Sequence, residues 1–194
     1  VFNDDVFEKN IMQGFEFVES NERMLTMGIK PTRPEPGYGY IQIGDKSDND
    51  GVYCVKSFTE KPDREFAKMF MENGEFYWNT GLFLANNKCI KRCFHKFLPP
   101  ILKEYDDSVD KFEFESEYKF INEKFSLYPN VSIDYGVLDK SDNVYVMLCN
   151  FGWADIGTWH SIYENMSNGT DENVIIDSQV IMENCHNNVV KITK

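Results

Sequence analysis

Five apolar runs of strand length constrain this chain more than any other feature: Met24–Ile29, Tyr38–Ile43, Val52–Phe58, Phe76–Ala85 and Val144–Leu148. The segments between several of them carry apolar residues at helical spacing, and such alternation predicts an α/β sheet with helices on its faces. A helix is expected from about Asp4 to Glu22, with Val6, Phe7, Ile11, Phe15 and Val18 inward and Asp4 or Asp5 as its cap. A second runs from a capping Asp63 to about Asn73 with Phe66, Met69 and Phe70 inward. Further helices are expected over Asn87–Phe97 (ended by Pro99-Pro100), Phe112–Phe125 and Thr158–Met166. Lys30–Pro36 holds three prolines and must be a loop, and Gly44–Gly51 reads as a hairpin-like connection. From Asn173 the texture changes to β-branched pieces, Val174–Ile176, Val180–Met182 and Val189–Ile192, which could open a β-helix. Ser167–Glu172 is the expected linker, dividing the chain into 1–166 and 167–194.

A chain of 194 residues can bury one sizeable core. It begins Val1-Phe2-Asn3-Asp4-Asp5, without Met, a basic start or an apolar signal core, and is expected to be a piece of something longer. The net charge of −12 argues against nucleic acid and anionic membrane surfaces, since phosphate backbones are held by clustered Lys and Arg. It leaves room for a small phosphorylated ligand, because one local Lys and a divalent cation reverse the field inside a pocket. Five cysteines at irregular spacing suit a reduced, cytoplasmic chain. Three matches to the glycosylation acceptor pattern, at Asn130, Asn165 and Asn168, are short enough to arise by chance.

Three interruptions adjoin strand ends. In Phe58-Thr59-Glu60-Lys61-Pro62, Lys61 could hold a phosphate as a point charge and Glu60 could accept hydrogen bonds from hydroxyls. The plainer alternative is an exposed Glu-Lys pair of little energetic value. Gly37-Tyr38-Gly39-Tyr40 lets a backbone approach a ligand closely, or simply makes a turn. Trp78-Asn79-Thr80-Gly81 sets an amide beside a glycine within a strand, the mark of a bulge or a close-lying ligand. Further on, Gly152-Trp153-Ala154-Asp155-Ile156-Gly157-Thr158-Trp159 places Asp155 between two glycines, where it could ligate Mg²⁺ or cap a helix. Cys89, Cys93 and His95 do not make a zinc set, the three histidines are dispersed, and no GxSxG elbow occurs.

Taken in order, these strings resemble the mannose-1-phosphate guanylyltransferase family of sugar nucleotidyltransferases. The matching segments are Leu25–Pro34, Gly37–Ile41, Phe58–Pro62, Trp78–Gly81, Ser132–Val137 and Gly152–Trp159. The resemblance implies the C-terminal portion of a Rossmann-like, glycosyltransferase-A-like mixed sheet with flanking helices. In it 1–166 would be the sugar-phosphate-binding portion and 167–194 a linker leading into the β-helix-like segment. It further implies that Gly39, Glu60, Lys61 and Asn79 contact mannose 1-phosphate, that Asp134 lies near the sugar, and that Lys61 and the metal ligand Asp155 serve catalysis. GTP and mannose 1-phosphate would be the substrates and Mg²⁺ the cofactor, with self-association left open. By the resemblance, the family's Gly-Thr-Arg loop, its following Lys and its Asp-His pair would precede Val1, with the helix from Asp4 starting just after that pair, so an incomplete parallel sheet and no activity of the chain by itself are expected. A related nucleotidyltransferase of other base or sugar, a non-catalytic regulatory relative and a plain interaction domain are the alternatives.

Overall fold

The computed structural model describes residues 1–192 except 21, 107–113, 158, 168, 170 and 171, and describes 103–106 and 114–116 by backbone only. The contacts group into two units, Asp4–Asn150 and a second made of Val1–Asn3 with Phe151–Lys194.

In the first unit, α1 (Asp4–Glu19) precedes β1 (Met24–Ile29), β2 (Gly39–Lys46), β3 (Val52–Glu60), α2 (Arg64–Asn73) and β4 (Phe76–Ala85). Then follow α3 (Asn87–Phe97), α4 (Pro99–Asp106), α5 (Phe114–Lys124), a 3-10 turn Phe125–Leu127, a wide π turn Asp134–Leu138, and β5 (Val144–Cys149). The five strands are neighbours in the closed order β1-β4-β2-β3-β5. Only β1 with β5 is parallel; the other ladders are antiparallel. The sheet is mixed, as the resemblance implies, with one parallel ladder, and its ends meet. β3 makes the closure, pairing on one edge with β5 through Val52–Cys54 and on the other with β2 from Tyr53 to Glu60.

Every residue of β1 is buried, as a strand flanked on both sides and covered on both faces must be. α1 packs on β1 and β4 through Gly14, Phe17 and Val18. Phe15, expected inward, is exposed, because Gly14 at this contact turns the buried stripe past it and brings Leu84 and Leu25 close to the helix backbone. Asp4 and Asp5 lie inside the first turn of α1, where negative charge meets the positive end of the helix. Asp63 caps α2 as expected, its side chain accepting the Phe66 N–H at 2.9 Å, and Gly74 ends that helix at φ 82°. The buried face of α2 is Ala67 and Phe70, not Phe66 and Met69, which are each 52% exposed. Pro99 and Pro100 open α4 instead of only ending α3, since proline at a helix's first turn forfeits no hydrogen bond. The acidic stretch from Glu104 to Glu117 and the start of the Phe112–Phe125 helix fall largely outside the described side chains.

A second buried cluster joins Met24, Cys89, Cys93, Leu98, Val137, Leu138 and Val144. Cys89 and Cys93 share the inner face of α3 as free thiols, and all five cysteines are free. Burial pushes the Cys89 thiol up, and pushes that of Cys149 from 9.0 to about 12. A thiol whose folded pKa is raised keeps its proton while the unfolded chain loses it, so stability falls with rising pH from about 9 towards 12. Urea titrations should show this fall at up to about 1.4 kcal/mol per pH unit for each such thiol, and Cys149→Ala should flatten it. An equal slope in that variant would refute the assignment.

In the second unit, α6 spans Trp159–Met166, and β6 (Val174–Ile176) pairs in parallel with β7 (Val189–Lys191). Asn188 donates through Nδ2 to Asn173 Oδ1 at 2.9 Å, extending the ladder by an amide pair. Val180–Met182, expected as a strand, is irregular, and Ile181 stands almost fully exposed. Thr158 and half of the expected linker, including Asn168 of its acceptor site, lie outside the described residues. No helix among the described residues is long and apolar enough to cross a membrane.

Candidate functional site

One row of paired residues crosses the sheet from Glu60 on β3 through Gly39 on β2, Asn79 on β4 and Gly28 on β1 to Leu148 on β5. Neighbouring strands lie about 4.8 Å apart, so Glu60 and Asn79 stand roughly 10 Å apart across a strand that presents no side chain between them. The absence is needed. A Cβ on Gly39 would overlap Glu60 Oε2 and come within 3.4 Å of Asn79 Cβ. Gly28 differs, since the space above it is filled by Val146 and Tyr77. Over Gly39 lies the end of the flexible Glu60 side chain, so the trough between Glu60 and Asn79 is the part of the row that opens when that carboxylate turns aside.

Lys61 follows Glu60 with a positive φ of 46°, a conformation that costs a side-chain-bearing residue about 1–2 kcal/mol. Its N–H donates to the Tyr38 carbonyl at 3.2 Å, and its ammonium lies 2.5 Å from Glu60 Oε1. This backbone turn carries the cation back over the end of its own strand. The Glu60 side chain is 30% exposed and that of Lys61 66%, so both are open to a solute.

Asn79 sits at the edge of a bulge. β1 pairs Thr26 with Phe83 but Gly28 with Asn79, so Thr80, Gly81 and Leu82 of β4 oppose Met27 alone. Gly81 takes φ 73° at its crest. The Gly81 N–H donates to Asn79 Oδ1 at 3.1 Å, and because an N–H can only donate, this contact fixes which end of the amide is oxygen. Asn79 Nδ2 then donates to Asp134 Oδ1 at 3.0 Å, from the first residue of the π turn. Glu60, Lys61, Gly39, Asn79 and Asp134 are thus gathered by one row and one turn. Together they present a cation, two carboxylates and a directed amide.

The reverse face holds this edge in place. Arg33 lies over the rings of Trp78 (5.5 Å) and Tyr38 (5.9 Å), and its Nε donates to Glu35 Oε2 at 3.2 Å. The Tyr40 hydroxyl donates to the Glu35 carbonyl at 3.1 Å, so the proline-rich loop is pinned to the strand that bears Gly39.

Asp155 belongs to the second unit. Its Oδ1 accepts the Gly157 N–H at 2.8 Å, a side-chain turn within its own loop. No group of three or more His, Cys, Asp or Glu side chains suited to a metal occurs among the described residues. A carboxylate is nonetheless a hard oxygen donor, and Mg²⁺ takes few protein ligands, so the donor chemistry at Asp155 fits that ion as a single ligand.

Sequence reasoning passed over Thr26. It is 1% exposed in the middle of β1, and its hydroxyl donates to the Leu82 carbonyl at 3.1 Å and towards Asn79 Oδ1 at 3.4 Å. A hydroxyl within an otherwise apolar, fully buried strand was the available signal.

The family model described as nucleotidyl transferase matches residues 1–172. A mannose-1-phosphate guanylyltransferase of Escherichia coli is 33% identical over 184 residues, covering 93% of this chain and 39% of the relative. One from Sinorhizobium fredii is 32% identical over 173 residues, covering 89% and 33%. The Salmonella typhimurium mannose-1-phosphate guanylyltransferase RfbM is 31% identical over 192 residues, covering 98% and 40%. A solved Thermus thermophilus structure titled mannose-1-phosphate geranyltransferase superposes with a TM-score of 0.77 at 28% identity, covering 90% of this chain and 49% of that one. The chain therefore spans about a third to two-fifths of the curated relatives it matches.

Proposed function

The chain belongs to the nucleotidyl transferase family, and from that premise we propose that its first unit supplies the sugar-phosphate side of a guanylyl transfer. The reaction proposed is GTP plus mannose 1-phosphate to GDP-mannose plus pyrophosphate. A phosphate oxygen of the sugar phosphate forms a bond to the α-phosphorus of GTP, and pyrophosphate leaves with the electrons of the broken bond. No covalent enzyme intermediate is invoked, so catalysis is alignment and charge neutralisation.

The observation that carries this reading is the trough over Gly39, walled by Glu60 and Asn79 with Lys61 at its end. Glu60 would accept from sugar hydroxyls and Asn79 would donate through the remaining N–H of its amide. Lys61 would leave Glu60 for the phosphate, where a full charge is matched by a full charge. Asp134 would stand by the sugar and keep the Asn79 amide turned. Asp155, in the second unit, is proposed separately as a Mg²⁺ ligand, and that ion would supply charge neutralisation.

The chain by itself is proposed to be inactive, since its 194 residues contain no Gly-Thr-Arg loop for a nucleotide. Incubation of the purified chain with GTP, mannose 1-phosphate and Mg²⁺ should release no GDP-mannose; measurable synthesis would overturn that part. Base and sugar are testable separately, because another sugar 1-phosphate binding more tightly than mannose 1-phosphate would favour a different branch of the family. β6 and β7 pair at a constant offset from Val174–Val189 to Ile176–Lys191 with an amide pair beside them. That arrangement supports a β-helix coil in the second unit.

A further inference from the structure

We infer that Thr26 is a positioning residue, which sets the geometry of the Asn79 amide by stapling the two ends of the β4 bulge, and through it the preference for a sugar phosphate over bare phosphate. The inference rests on the sugar-phosphate reading of the trough.

The bulge residues leave the β1 ladder between Asn79 and Phe83, and a three-residue excursion has no strand pairing of its own to hold its shape. Two hydroxyls replace that pairing. Thr80 Oγ1 donates to the Met27 carbonyl at 2.9 Å and accepts the Leu82 N–H at 3.3 Å, holding the middle. Thr26 holds the ends: its one hydroxyl proton is shared between the Leu82 carbonyl at 3.1 Å and Asn79 Oδ1 at 3.4 Å. Thr26 is itself immovable, since it is buried and paired on its other side with Val146 of β5.

The consequence for the site is directional. With Oδ1 occupied by the Gly81 N–H and drawn towards the Thr26 hydroxyl, Nδ2 is turned to the Asp134 carboxylate. Without the Thr26 hydroxyl the Leu82 end is released, and the amide keeps only the contacts it makes to Gly81 and Asp134. Asn79 faces hydroxyls, not phosphate, so the loss falls on sugar recognition, while Lys61 is untouched.

Thr26→Val keeps the shape and removes the hydroxyl; Thr26→Ser and Thr26→Ala form a second pair that differ in the hydroxyl alone. In the full 194-residue chain, calorimetric titrations with mannose 1-phosphate and with inorganic phosphate are compared for all four proteins. Thr26→Val should bind mannose 1-phosphate about tenfold more weakly, the equivalent of about 1.4 kcal/mol, with phosphate affinity within about twofold. Thr26→Ser should bind like the parent, and Thr26→Ala should follow Thr26→Val. The Asn79 side-chain amide signals and the exchange of the Gly81 and Leu82 amides should change in both hydroxyl-less variants without ligand. Equal selectivity in Thr26→Val and the parent, or unchanged amide signals, overturns the inference. If the parent binds neither ligand, the sugar-phosphate reading falls instead, and the amide signals alone decide whether Thr26 governs Asn79.

Discussion

Replacing Lys61 with Gly should make the chain more stable and its site useless. Lys61 holds a left-handed backbone with φ 46° that glycine adopts freely. Relief of about 1–2 kcal/mol of strain, less the greater freedom of glycine in the unfolded chain, leaves a gain of roughly 0.5–1 kcal/mol. The Glu60 ion pair lost with it is exposed and worth little. The ammonium, by contrast, is the cation beside the trough, and a charge-assisted contact to phosphate is worth about 1.5–3 kcal/mol, or ten- to more than a hundredfold in affinity. Lys61→Ala should lose the same affinity without the gain in stability. Chemical denaturation and titration with mannose 1-phosphate on both variants read the two effects separately. A Lys61→Gly protein that binds like the parent would show that its backbone turn serves only the strand end.

Gly39→Ala should cost at least tenfold in mannose 1-phosphate affinity with little change in stability. The added Cβ meets the end of a flexible carboxylate, so the fold yields by turning Glu60 aside, which also removes the wall of the trough. Gly28→Ala, in the same cross-sheet row, makes the complementary case. Its Cβ would lie 2.9 Å from Val146 Cγ2 and 3.1 Å from Tyr77 Cβ, both fixed, so overpacking should destabilise by about 1–3 kcal/mol. Thermal melts and titrations of the pair check the contrast. Equal destabilisation by both substitutions would mean the trough over Gly39 is as closed as the space over Gly28.

What could be read from the chain follows from how its residues are buried. β1 and β4 were legible to the residue, because their largely apolar runs are bounded by charged residues, glycine, proline and asparagine. The Asp63 cap was legible because its bond to Phe66 is local. Helix faces were less so. Phe66, Met69 and Phe15 are apolar at helical spacing yet exposed, and only the neighbouring elements determine which stripe of a helix is covered. The closure of the sheet was hidden for the same reason. It depends on β3 pairing with β2 on one edge and with β5 on the other, which no local pattern encodes. Within the candidate site, Glu60, Lys61 and Asn79 announced themselves by sitting beside prolines and glycines. Thr26 did not, since its part is played through hydrogen bonds 53 and 56 residues away.

The most direct test of the account is a nuclear magnetic resonance titration of the isotope-labelled chain with mannose 1-phosphate, followed at the backbone amides of Glu60 and Lys61 and the side-chain amide of Asn79. Saturable shifts at all three, with the Asn79 amide unmoved by inorganic phosphate, are the predicted result. Signals that stay unchanged at all three positions up to millimolar ligand would contradict the claim that this trough receives a sugar phosphate.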